Sequence, residues 1–215
     1  MFALTSFDRH GVAADYTAVP AEQLVARPRA LGHTESAAIP LPALTAWQGL
    51  FDRGRLGAGE HVLIHGAAGN VGGYAVQLAR AAGAHVIGTA SAASRDLVLE
   101  LGAHEALDAA TRFEDAVEPV DIVFDTAGGE RLRRSFAVLG ASGRLVSVAV
   151  EPAAGGVYFV VEPKRDQLEE LPGRADIAEL RPAPIEVYPL ASAREAFARS
   201  MEQGRRGKVV SAVVV

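Results

Sequence analysis

From residue 61 onward, apolar and polar positions follow a repeating order. "HVLIH" (61–65) is a short apolar run of the buried-strand type. "NVGGYAVQLARAAG" (70–83) places apolar residues at helical spacing and ends in Gly83, a natural helix stop. "HVIGTA" (85–90) predicts a second strand, and "SRDLVLELG" (94–102) a second helix that again ends in glycine. "EALD" (105–108) reads as a short third strand and "VDIVFDTAGG" (120–129) as a fourth strand running into a turn. A helix over "ERLRRSFAVLG" (130–140) and a fifth strand over "GRLVSVAV" (143–150) complete the series. Strands alternating with helices of this length predict a parallel sheet with helices on both faces.

The flanks have a different pattern. Residues 1–30 read as short strands and turns, with strand-like alternation in "AADYTAVP" (13–20). "HTESAAIPLPALTAWQGLF" (33–51) is helical but interrupted by Pro40 and Pro42, and a polar, Gly-rich connector follows at 53–60. After residue 150, "GGVYFVVEP" (155–163) predicts a further strand and "KRDQLEEL" (164–171) a short charged helix. "IEVYPL" (185–190), "ASAREAFARSMEQG" (191–204) and "KVVSAVVV" (208–215) predict strand, helix and strand. Neither an internal repeat nor a low-complexity tract is evident.

Composition narrows the class without naming a chemistry. At 215 residues the chain is large for one core and small for two full domains. A net charge of -5 speaks against a nucleic-acid surface, and the lack of cysteine excludes disulfides and thiolate metal sites. No apolar run approaches a membrane span, and the first residues lack the basic and apolar blocks of a signal peptide; a cytoplasmic protein is expected. The 19 Arg against 2 Lys reflect base composition more than function.

Candidate chemistry centres on "HGAAGNVGG" (65–73). A turn from a buried strand into a helix presents backbone N–H groups and the positive end of the helix dipole, which together favour a phosphate. Small residues at 66–69 allow a pyrophosphate close to the backbone, and Gly72 or Gly73 allows the helix to pack closely on the strand. A branched residue at 69 is expected to fill the pyrophosphate's place and to disfavour the turn's backbone angles. The strict G-x-G-x-x-G is absent, because Ala67 and Ala68 occupy its first part. At the end of the second strand, where NAD sites carry an acid for the ribose, "GTASAASR" (88–95) has none. Ser91 and Arg95 suit a 2′-phosphate instead, so NADPH is the expected cofactor.

The runs "LPALTAWQGLF", "VLIHGAAGNVGGYAVQLA", "VIGTAS", "LGAHEALD", "FDTAGGE", "GRLVSV", "YFVVEP" and "PLASAREAFARSMEQGRRGKVV" stand in one family's order along nearly the whole chain. They resemble the zinc-independent quinone oxidoreductase (zeta-crystallin-like) branch of the medium-chain dehydrogenase/reductase superfamily. The resemblance implies an α/β fold: a Rossmann-type doubly wound parallel sheet, with remnants of a GroES-like β domain at both ends. It divides the chain into a GroES-like remnant at 1–32, the dinucleotide-binding domain at 33–180, and a segment at 181–215 that returns to the remnant. Most of the GroES-like barrel that family members carry first is missing, and the connection between "GRLVSV" and "YFVVEP" is short.

The resemblance also implies roles for particular residues. Thr45 matches a contact at the nicotinamide end, and Ala68, Gly69, Asn70 and Val71 match the pyrophosphate turn, Asn70 standing where glycine is usual. Ser91 and Arg95 match the 2′-phosphate contacts. Asp125, Thr126 and Ala127 match a turn on the adenosine side. Val148 and Ala149 match a strand end beside the nicotinamide. Phe159, Val160 and Val161 match a segment at the nicotinamide amide and near the dimer seam, and Lys208 matches a lysine in the closing "GKVV". A homodimer through the strand at 157–161 is implied.

Two classes of function stay open at this stage. One is NADPH-dependent, zinc-independent reduction of a quinone or α,β-unsaturated carbonyl. The other is an NADP(H)-binding protein with little or no catalysis, such as a sensor, a partner subunit or a truncated family member. The six histidines are scattered and mark no metal site. His65 reads as a packing or orienting residue, and neither a catalytic acid nor a Ser/His/Asp set emerges.

Overall fold

The computed structural model describes residues 1–7, 11–153, 155–202 and 207–213. His10, residues 203–204 of the expected helix and residues 214–215 of the expected last strand lie outside the described residues. The chain divides into two compact units, one of Met1–Leu44 with Glu162–Val215 and one of Thr45–Val161.

The central unit is built on a six-stranded sheet in the order β3-β2-β1-β4-β5-β6. Its strands are β1 (His61–His65), β2 (His85–Ala90), β3 (Glu105–Asp108), β4 (Val120–Asp125), β5 (Leu139–Ser147) and β6 (Val157–Tyr158), and all neighbouring pairs run parallel. This is the doubly wound order of dinucleotide-binding folds. The helices α3 (Asn70–Ala81), α4 (Arg95–Glu100) and α5 (Glu130–Arg134) follow β1, β2 and β4. Gly83 (φ +81°) and Gly102 (φ +108°) end the chain's path out of α3 and α4 in the left-handed region, as the glycine stops predict.

The strands are apolar because both faces are covered. On one face Leu63, Ile87, Val123 and Leu145 pack with Phe113, Leu132 and Val138. On the other, Phe124 and Ile122 lie under a π-helical turn, Gln48–Arg53, that continues α2 (Pro40–Trp47). A Cβ on Gly49 would stand 2.4 Å from the Phe124 ring, so glycine sets how closely that turn approaches the sheet. Pro40 opens α2 and Pro42 sits in its first turn, where a missing N–H breaks no intrahelical bond.

Several elements differ from the sequence expectation. The helix at 130–140 stops at Arg134 and gives way to a 3₁₀ turn, Ser135–Val138. β5 begins at Leu139, through residues that read locally as a turn, because Leu139 pairs with Val120 ahead of a register shift. The strand expected over 155–163 keeps only Val157 and Tyr158 in the ladder.

The second unit contains α1 (His33–Ala37), α6 (Arg165–Asp176), α7 (Ala193–Ser200) and a parallel pair of β7 (Ile185–Pro189) and β8 (Lys208–Ala212). Parallel strands need a crossover, which α7 supplies. α6 runs past the expected end and through Pro172, because Leu168, Leu171 and Ala175 continue one buried stripe. Among the described residues, 13–20 form no ladder, and Phe2 makes an antiparallel bridge to Val25. No helix among the described residues is long and apolar enough to cross a membrane.

Candidate functional site

In a doubly wound sheet the chain leaves β1 and β4 in opposite directions, which opens a crevice at their carboxyl ends. Register places His65, Asp125 and Ser147 side by side as the last rungs of β1, β4 and β5. The segments that follow these strands are 66–71, 126–129 and 148–150. Ser91 follows β2, and Phe159, Val160 and Val161 follow β6. All the expected site residues between Ala68 and Val161 thus leave one edge of one sheet, or open a helix just beyond it. Thr45 is buried on α2, one turn before Gly49. Lys208 stands at the start of β8, in the other unit.

The glycine turn is tight in a way the sequence left ambiguous. Gly66 has φ +72°, and a Cβ there would lie 2.6 Å from Thr126 Oγ1. Gly72, not Gly73, sets the approach of α3: its Cβ would stand 2.1 Å from Gly66 O. At Gly73 the nearest contact would be a flexible Leu101 side chain at 3.3 Å. The expectation that position 69 needs glycine for its backbone angles is not met. Gly69 has φ -79° and ψ 175°, ordinary extended backbone for any residue. It is an exposed N-cap immediately before a twelve-residue helix whose first N–H groups have no intrahelical partner. At the first helical position Asn70 has a buried Oδ1 without a hydrogen-bond partner.

A second tight turn faces the first. Thr126 donates its N–H (3.2 Å) and Oγ1–H (2.7 Å) to His65 O, tying the β4 turn to the end of β1. Asp125 is fully buried and organises the turn: Oδ1 accepts from Ala127 N (3.2 Å) and Gly128 N (2.9 Å), and Oδ2 accepts from Ser147 Oγ (2.8 Å). Ser147 Oγ in turn accepts from Ala149 N (3.2 Å) and Val150 N (3.3 Å), which shapes the β5 turn. Sequence reasoning passed over Ser147. Its one signal was a hydroxyl at the end of an apolar strand.

His65 lies beneath the glycine turn, fully buried and edge-on to Phe113. Ser135 Oγ donates to Arg131 O (2.7 Å), so the 2.8 Å contact between His65 Nε2 and Ser135 Oγ has the imidazole as donor. Nδ1 then accepts from Thr89 Oγ1, 3.0 Å away. Burial pushes the imidazole down to about 4, helped by Arg131 and Arg134 and opposed by Asp125. A neutral ring bonded at both nitrogens holds β1, β2 and the turn after α5 together, and it has no free nitrogen for a substrate.

At the β2 end, Ser91 Oγ lies 3.0 Å from Ser94 Oγ, and Arg95 is exposed, with Nε donating to Ala106 O at 2.8 Å. At the β6 end Phe159 and Val161 are buried and Val160 points outward. The Arg53 guanidinium lies 5.8 Å from the centre of the Phe159 ring.

A doubly wound α/β unit with paired tight turns at its switch point is a nucleotide-binding class of fold. Residues 70–166 match the family described as zinc-binding dehydrogenase. The chain is 32% identical to a probable mitochondrial zinc-binding oxidoreductase of Arthroderma benhamiae, over 97% of this chain and 71% of that protein. It is 31% identical to a chloroplastic NADPH-dependent alkenal/one oxidoreductase of Arabidopsis thaliana, over 97% of this chain and 54% of that one. The structure of the quinone oxidoreductase from Coxiella burnetii superposes with a TM-score of 0.82 at 28% identity, over 90% of this chain and 65% of that one. The chain belongs to the medium-chain dehydrogenase/reductase superfamily of oxidoreductases, whose members use a nicotinamide dinucleotide. It spans from 4% to 71% of the length of the first curated relatives it matches.

The residues present fit a dinucleotide. The exposed Gly69 and the open start of α3 are what a phosphate group needs; the Asn70 amide, whose buried Oδ1 has no partner, would if turned over offer Nδ2–H to an oxygen. Among the described residues, no group of three or more His, Asp or Glu gathers closely enough to hold a metal, and the chain has no cysteine.

Proposed function

We propose that the chain binds NADPH across the β1/β4 switch point and supports zinc-independent reduction of a quinone or an α,β-unsaturated carbonyl. The observation that carries this is the convergence of the turns after β1, β4 and β5 on one crevice, with their backbone N–H groups fixed by Asp125, Ser147 and Gly72. When bound, the cofactor supplies the hydride. The chain's own work is to bind and orient it. The start of α3 takes the pyrophosphate, and Asn70 adds a side-chain donor. Thr45, Val148, Ala149 and residues 159–161 border the nicotinamide end, and Asp125 holds the 126–128 turn on the adenosine side. The names of the Arabidopsis and Coxiella relatives support the two substrate classes. In this reading residues 1–32 and 181–215 are the remnant of the GroES-like domain, and Lys208 belongs to that remnant.

Preference for the phosphorylated cofactor follows from the lack of an acid at 88–91 and from Arg95, whose stem is anchored on Ala106 O. Arg95→Ala is expected to weaken NADPH by about ten-fold or more while sparing NADH, the size of one charge-assisted hydrogen bond. Titration of both cofactors by fluorescence checks it, and equal affinities in the unmutated protein reject the preference. Steady-state oxidation of NADPH with a panel of quinones and enones tests the activity. Tight binding without turnover would instead assign the chain to the non-catalytic class.

A homodimer through the β6 edge belongs to the same proposal. Val157, Tyr158 and Val160 are exposed there, with Val150 also exposed, and an open apolar edge tends to recruit another chain. Val160→Lys is expected to split the dimer by placing an unpaired charge in the seam. Light scattering at micromolar concentration reads the result, and a monomer mass for the unmutated protein refutes the dimer.

A further inference from the structure

The amino end of the sheet, opposite the crevice, carries three histidines in a row. His61 and His85 open β1 and β2 as register partners, and their rings stack with centroids 4.7 Å apart. His104, immediately before β3, stacks on His85 at 4.3 Å. Charged groups surround the row. Arg80 of α3 meets His104 Nε2, Glu105 Oε1 of β3 lies 3.1 Å from His85 Nε2, and Asp121 of β4 accepts the His61 backbone N–H at 2.8 Å.

His104 is more than a surface ring. Its backbone N–H donates to Val86 O (2.8 Å), and Val86 N–H donates to His104 Nδ1 (2.9 Å). The imidazole therefore stands where a backbone carbonyl would continue the β2/β3 ladder, whose first register pair is Ile87 with Glu105. β3 has only four residues and is the edge of the sheet, so one added bond is a substantial part of what holds it. To accept from Val86, Nδ1 must be bare. The ring is then neutral with its proton on Nε2, so it cannot also accept from the Arg80 guanidinium, a donor only; in the neutral ring the Val86 bond and a hydrogen bond from Arg80 exclude each other.

We propose that His104 is a proton-sensitive latch on the β3 edge: neutral, it closes the β2/β3 ladder through Val86; protonated, it releases it. A proton on Nδ1 turns the acceptor into a donor, so two N–H groups face each other. It also adds a positive charge beside Arg80 and the stacked His85. Burial, then Arg80 and then His85, lower the His104 pKa from its ordinary 6.5; Glu105 pulls the other way, and His61 adds a smaller push. Because the folded value is the lower one, the latch contributes fully above pH 6.5 and is lost as pH falls through the folded value. Opening the edge also loosens Ala106 O, the anchor of Arg95. That consequence, a weaker hold on NADPH in acid, rests on the proposed cofactor; the latch does not.

Backbone amide exchange of the full chain without cofactor tests the latch. Val86 protection, corrected for intrinsic exchange, is compared at about pH 7.5 and about pH 5. The expected result is a fall of about ten-fold in the unmutated protein, the worth of one exposed hydrogen bond. No fall is expected in His104→Asn, whose Oδ1 takes the place of Nδ1 and does not titrate. Equal protection of Val86 at both pH values overturns the proposal, as does the same fall in both proteins. Should the variant not fold, the Val123 amide of central β4 serves as the internal reference. A fall at Val86 alone supports the latch, and an equal fall at both amides reads as global opening and overturns it.

Discussion

Gly72→Ala is expected to abolish dinucleotide binding and to destabilise the α/β unit by about 3 kcal/mol. The new Cβ would lie 2.1 Å from Gly66 O, 2.7 Å from Gly66 C and 2.9 Å from Ala67 Cα. All three atoms are backbone, so no side chain can swing aside to make room. α3 has to lift away from the β1 turn, and the N–H groups at its start move with it. Gly69→Ala is the control. Its Cβ would meet one atom, Gly66 O, at 3.1 Å, and its backbone angles suit alanine. That variant is expected to fold normally and to lose affinity only through crowding of the ligand. Thermal unfolding and NADPH titration of the two variants separate these effects. Unmutated affinity in Gly72→Ala would show that the close seat of α3 does not matter for binding.

Asp125→Ala is expected to lose about 3–5 kcal/mol of stability and to weaken the cofactor with it, because bonds to a buried carboxylate are strong and their loss strands the donors. Ala127 N, Gly128 N and Ser147 Oγ all lose their acceptor. Asp125→Asn keeps the shape and one acceptor but turns an N–H₂ group toward a donor, so an intermediate loss is expected. Urea unfolding monitored by circular dichroism measures both variants. Stability unchanged in Asp125→Ala would mean that the 126–128 turn is held by its tie to His65 O alone.

The order of elements from β1 to β4 was legible because a strand covered on both faces is a continuous apolar run, and each helix is closed by a glycine. "HVLIH", "HVIGTA" and "VDIVFD" carry that signal without help from the rest of the chain. The misread pieces are those where distant contacts overrule local preference. "GASG" at 140–143 looks like a turn, yet β5 has already begun because Leu139 pairs with Val120. Pro172 looks like a stop, yet Leu171 and Ala175 continue a buried face across it. "AADYTAVP" alternates like a strand but pairs with no strand among the described residues, and Tyr16 is 93% exposed. The site shows the same division. That its residues follow strand ends could be read from the sequence. The partners of Asp125 could not, because Ser147 comes from a different strand and only register brings it alongside. Nor could the difference between Gly66, Gly69 and Gly72, which lies in one positive φ and one short distance.

Strand order has a further consequence, for how such a site is inherited and rearranged. β1, β2 and β3 come from one stretch of chain, and β4, β5 and β6 from the next. Among the described strands, the two groups meet in a single ladder, Val62–His65 against Ile122–Asp125. The crevice runs along that ladder, with the glycine turn on one bank and the Asp125 turn on the other. Neither half alone carries the proposed binding site. Recombination that exchanges one half for a relative's leaves each bank internally intact, and affinity in the chimera is decided where four residue pairs and the Thr126–His65 tie must agree.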